Sequence, residues 1–111
     1  APAIMGAPSR ADLREELTNS FCRNDPDIAK HFARVTFTSD HRVDVSKSTV
    51  PALILQCSDD LVAPVGVGQF LHRHLPSSTL HIIENVGHCP HMSAPTASSH
   101  AIDHFLAHTL R

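Results

Sequence analysis

A chain of 111 residues with 41% apolar and 18% charged side chains has room for one small domain and the composition of a folded protein, not a disordered one. Its net charge of −2, without a basic run, argues against nucleic acid or an anionic membrane as partner, and no apolar stretch reaches the length of a membrane span. Cys22, Cys57 and Cys89 are odd in number and widely spaced, which suits a reducing compartment and so a cytoplasmic location.

The first eight residues, rich in Pro and Ala, read as an irregular lead-in. Leu13, Leu17 and Phe21 recur at helical spacing and predict an amphipathic helix over 12–22. Its acidic residues fall in the first turns, where the helix dipole favours them. Asp25 is a good N-cap, Pro26 suits the first helical position, and Ile28, Phe32 and Val35 carry a second helix to about residue 38. The two helices form a hairpin in this reading. Phe21, Phe32 and Phe37 serve its packing, with a ligand cavity as the alternative.

A polar connector follows over 41–49. "VPALILQC", 50–57, is a continuous apolar run, as expected of a strand buried on both faces of a parallel sheet. After the loop "SDDLVAP", Val67, Phe70, Leu71 and Leu75 mark a helix over 64–75. "TLHIIE", 79–84, is a second strand, rich in β-formers. The loop "GHCPHMSAP" leads into a last helix over 95–110, with Ile102, Phe105, Leu106 and Leu110 on one face. Strand, helix, strand, helix in this order predicts parallel pairing by a right-handed crossover. Two strands are few for so apolar a run, and the chain starts at Ala1 without an initiator Met. Both features suggest the end of a larger α/β sheet.

Function in open α/β sheets sits in the loops at the carboxyl ends of strands. One such loop here carries Asp59 and Asp60, and the other carries His88. Neighbouring strands lie about 4.8 Å apart, so these loops can bring a carboxylate to an imidazole. A buried carboxylate would fix the imidazole's tautomer and let it act as a general base and acid. The bland alternative for His88 is a loop histidine bonded to backbone, and Asp59 reads as a solvated or loop-capping carboxylate.

"VPALILQCSDDLVAP" resembles the acid-bearing strand and loop of α/β-hydrolases, with Cys57 where Gly is common, Asp60 at the acid position and Pro64 following. "VGHCPHMSAP" resembles the loop that carries their catalytic histidine, at His88. "LQCSDD", "VGQFLHRHLP", "GHCPHMSAP" and the lead "APAIMGAP…ELTNSFCRNDPDIAKHFARVTF" are similar to bacterial hydrolases of the general-stress-response activator type, related to plant strigolactone and karrikin receptors. The resemblance implies a partial α/β-hydrolase fold. Residues 1–40 would be part of a helical lid, 41–49 a connector, and 50–111 the C-terminal β-α-β-α part of the core. It implies a serine hydrolase of small esters or lactones, with His88 as base and Asp60 as its acid. No metal or organic cofactor is needed, and a stress-signalling role with a regulatory protein partner is implied.

No G-x-S-x-G nucleophile elbow occurs in the sequence, and with it the serine and the oxyanion hole are missing. The chain alone is therefore expected to be inactive. Two other readings stand beside this one: a non-catalytic protein-interaction module, and a His-rich metal-binding protein. Against the last, Cys89 and His91 lack a second pair of ligands, His72 and His74 diverge on a helix, and His100, His104 and His108 read as a polar helix face. Cys57, ending a buried strand, reads as a small hydrophobe.

Overall fold

The computed structural model describes residues 2–110. The lead-in is more ordered than its composition suggests. A short helix, α1 (Pro2–Met5), buries Met5 completely, and α2 (Ala11–Cys22) packs against it through Leu13. Pro and Ala content cannot show that one Met will be enclosed by residues more than eighty positions away.

α3 (Pro26–Thr38) begins as its sequence demands. The Asp25 carboxylate accepts from the Asp27 and Ile28 amides at 2.9 and 3.2 Å, and Pro26 stands in the first turn, where a missing N–H costs nothing. The expected hairpin packing is absent, however. α3 has no buried residue, and Phe32 and Phe37 are 71% and 80% exposed. Phe21 is also largely exposed, so none of the three phenylalanines packs α2 on α3. α2 uses its apolar stripe on α1 instead. The polar connector holds a single turn, α4 (Arg42–Val45).

β1 (Ala52–Asp59) and β2 (Ser78–Val86) pair in parallel, joined by α5 (Val65–His74). Both strands run two residues beyond their apolar runs at the carboxyl end. The register is regular from Ala52 opposite Ser78 to Cys57 opposite Ile83, then slips so that Asp59 faces Val86. One extra residue is thus inserted in β2 beside the loops of interest, a device that re-aims a strand end. The Ser58 hydroxyl accommodates the insertion. It accepts from the Asn85 amide at 3.1 Å and donates to the Asn85 carbonyl at 3.4 Å.

Leu53, Ile54 and Leu55 are half-buried, not enclosed on both faces, because β1 has one strand neighbour among the described residues. The buried interior is accordingly small. Cys57, Ile83 and Ala101 lie between the sheet and α7 (Pro95–Thr109), which follows the single turn α6 (Pro90–Ser93). Met5, Ala7, Leu13 and Cys89 form a second cluster under the lead-in. Among the described residues no helix is long and apolar enough to cross a membrane.

Candidate active site

Asp60 leaves the carboxyl end of β1, and His88 follows the carboxyl end of β2 by two residues. The parallel pairing brings the two loops side by side, and His88 Nδ1 lies 2.7 Å from Asp60 Oδ2. Asp60 is 8% exposed. Its other oxygen accepts from the Val62 and Ala63 amides at 2.8 and 3.1 Å, a turn that holds the side chain against its own loop. Burial pushes the Asp60 carboxyl up, but the bonds from His88, Ala63 and Val62 outweigh it and hold the group below the ordinary carboxylate value.

An ionised Asp60 can only accept, so Nδ1 of His88 is the donor, and in the neutral imidazole Nε2 holds the free lone pair. The His88 side chain is 43% exposed, and no hydrogen bond reaches Nε2 among the described residues. The pair therefore presents an oriented imidazole nitrogen at the surface, with the chemistry to take a proton in its neutral form and to return it.

Neighbouring residues brace both loops. Buried Gln56 donates from Nε2 to the Cys57 and Ala63 carbonyls at 3.0 and 2.8 Å, tying the strand to the far side of the acid loop. Asn85 donates to Ser93 Oγ at 2.7 Å and to the Cys57 sulfur at 3.7 Å, tying β2 to α6. The Gly87 amide donates to the Asp59 carbonyl at 2.8 Å, so Asp59 contributes backbone while its side chain stays exposed. Gln56 and Asn85 were invisible to motif spacing, since polar residues in strands acquire these partners only once the loops fold over them.

The remaining candidates separate. Cys89 turns into the Met5 cluster while His91 is exposed on α6. Burial pushes the Cys57 thiol up; its bond from Asn85 opposes this, and the Asp60 charge reinforces it. Burial, then the charges of Asp60 and Cys57, push up Cys89. Both sulfurs remain protonated thiols at neutral pH. His100, His104 and His108 are exposed along α7, with the rings of His104 and His108 tilted by 31° at a centroid distance of 4.1 Å. Among the described residues no group of three or more His, Cys, Asp or Glu side chains is placed to hold a metal ion.

Fold and sequence comparisons define the class: the chain has a partial α/β-hydrolase fold and is similar in sequence to proteins of that class. A hydrolase from Oleispira antarctica superposes with a TM-score of 0.85 at 40% identity, covering 94% of this chain and 38% of that one. Within the class, the relatives include the karrikin insensitive 2 receptor IA of Petunia hybrida, 32% identical over 99% of this chain and 40% of the receptor. A strigolactone esterase of Pisum sativum is 31% identical over 93% of this chain and 39% of the esterase. The chain thus spans about two fifths of the length of the curated relatives it matches. No family model matches it.

Proposed function

We propose that this chain supplies the acid–base pair of a serine α/β-hydrolase that acts on a small ester or lactone. The observation that carries the reading is the 2.7 Å contact between a buried, doubly anchored Asp60 and a half-exposed His88 at the carboxyl ends of adjacent parallel strands. The relatives named as esterase and receptor, and the hydrolase of similar fold, support it.

In this mechanism a serine hydroxyl donates to His88 Nε2. As its oxygen attacks the ester carbonyl, the proton passes to Nε2, and Asp60 stabilises the imidazolium that forms. Collapse of the tetrahedral adduct breaks the bond to the leaving alkoxide, which takes the proton back from Nε2. Water then repeats the two steps on the acyl-serine, releasing the acid and regenerating the serine. The serine and the oxyanion donors would come from polypeptide outside this sequence, so the 111 residues alone are expected to be inactive. Residues 1–40 are assigned to part of the lid, 41–49 to a connector and 50–111 to the core. A cytoplasmic location, a stress-signalling role and a regulatory partner that reads the lid belong to the same reading by analogy with the family.

The test is to read the coding sequence upstream of Ala1 and assay the whole product on a small aryl ester. A G-x-S-x-G elbow and hydrolysis that depends on its serine and on His88 are expected. An upstream sequence without the elbow, or full activity in His88→Ala, would overturn the proposal.

A second reading, a non-catalytic interaction module, draws on the apolar face of α3, where Ile28, Phe32 and Val35 are exposed. It predicts a monodisperse, cooperatively melting chain. Aggregation of the purified chain would count against it.

A further inference from the structure

The imidazole of His88 is half in solvent and held by one side-chain bond, to Asp60, so its position also depends on its backbone. That backbone is gripped by the lead-in. The His88 amide donates to the Ile4 carbonyl, and the Ala7 amide donates to the Val86 carbonyl at 3.2 Å. Residues 4–7 therefore lie against the end of β2, joined to it and to His88 by these two bonds. The approach is closer than side chains permit. A Cβ on Gly6 would lie 2.6 Å from the Gly87 Cα, and a Cβ on Gly87 would run into the Met5 carbonyl. Both glycines adopt positive φ, +65° and +116°. Even Ala7 is held at φ 27°, a conformation a residue with a side chain adopts only when its surroundings enforce it.

Two further contacts lock the arrangement. Met5, fully buried, packs with Cys89, the residue next to His88. Arg14 on α2 donates from Nε to the Gly6 carbonyl at 2.8 Å. Across the loop, the Gly87 amide is tied to Asp59. The main chain at 87–89 is thus fixed from the acid loop on one side and from the lead-in on the other.

We propose that the Ile4–Ala7 segment, clamped by Arg14 and interlocked with Gly87, is the positioning element that aims His88 at Asp60. The inference rests on the acid–base reading above, and Gly6 and Arg14 are positioning residues that act through His88. It gives the helical lead-in a role in the proton-handling site, so a movement of α1 and α2 would be felt at the imidazole.

The test uses two magnetic-resonance readouts that need no substrate. One is the low-field Nδ1 proton of His88 in its bond to Asp60. The other is the exchange rate of the His88 amide relative to the Ile83 amide within β2. Gly6→Ala should abolish or broaden the Nδ1 signal and raise the exchange ratio by about tenfold or more, as a local opening does. Ala101→Gly, a destabilising change on α7, should leave both readouts as in the parent protein. If Gly6→Ala does not fold, Arg14→Gln decides by the same readouts, with the same direction expected. Unchanged readouts in the deciding variant, or an equal change in Ala101→Gly, overturn the proposal. Failure of the hydrolase reading is distinguishable: it would appear as ester hydrolysis unaffected by His88→Ala in the whole protein, with these signals intact.

Discussion

The side chain of Gln56 occupies the space that any side chain at Gly68 would need. A Cβ on Gly68 would fall 2.6 Å from Gln56 Oε1 and 3.1 Å from its Cγ. The bare glycine lets α5 close onto β1, and the glutamine held beneath it reaches on to the Ala63 carbonyl of the acid loop. Helix, strand and loop are linked through this one pair. Gly68→Ala should therefore destabilise by about 1–3 kcal/mol, the usual cost of overpacking. In a Gln56→Ala background the penalty should shrink, because only the 3.2 Å approach to the residue-56 Cβ remains and alanine is the better helix former. Urea unfolding of the four proteins closes the cycle.

Acid should weaken the protein through Asp60. Its folded carboxyl lies below the ordinary value of 3.8, so the folded state binds this proton less readily than the unfolded chain. The stabilisation is fully present above the ordinary value and disappears as pH falls through the lower, folded one. Asp60→Asn should flatten the part of the stability curve below pH about 4 that this group supplies. Denaturation midpoints collected from neutral to strongly acid pH would show the difference.

In the whole protein, Asp60→Asn should leave the pair in contact and still lower ester hydrolysis by about 10⁴-fold. The asparagine amide donates toward Nδ1, which places the imidazole proton on Nε2 and removes the lone pair a serine needs. His88→Ala should lower the rate at least as far. Steady-state rates on an aryl ester, with circular dichroism to confirm folding, check both.

The three thiols should differ sharply toward a disulfide reagent. Cys22 is exposed, whereas Cys57 and Cys89 are buried and their thiols are pushed up. Thiolate is the reactive form. One thiol per native chain should react quickly at pH 8, and Cys22→Ser should abolish that phase while leaving the two that appear in denaturant.

Substitutions on α3 should separate capping from packing. Asp25→Ala removes the acceptor for two amides and should cost about 1 kcal/mol. Phe32→Ser changes a residue that is 71% exposed and should stay within about 0.5 kcal/mol of the parent. Sedimentation would show less self-association in the serine variant if the exposed face drives it.

Elements whose signal is local were legible in the sequence. The Asp25–Pro26 start of α3, the apolar run of β1 and the β-formers of β2 each carry their own reason to form. The pairing of Asp60 with His88 was legible as an expectation because both follow strands that a crossover makes neighbours. What could not be read depends on distant partners. Met5 looked like part of a loose lead-in, and only the meeting of residues 4–7 with Gly87 makes it a core residue. The phenylalanines of α2 and α3 had the spacing of a packed hairpin, yet periodicity names a face without saying what covers it. Gln56 lay inside an apolar run, and its amide found partners only when the acid loop folded back.

Asp60 and His88 stand at the two ends of one uninterrupted passage of chain, through the acid loop, α5 and β2. Their meeting closes a loop of modest size, whose entropic cost rises only slowly with length. The proton's address on the imidazole is thus written within one contiguous passage of chain, while the backbone that presents the imidazole is held from the far end of the sequence.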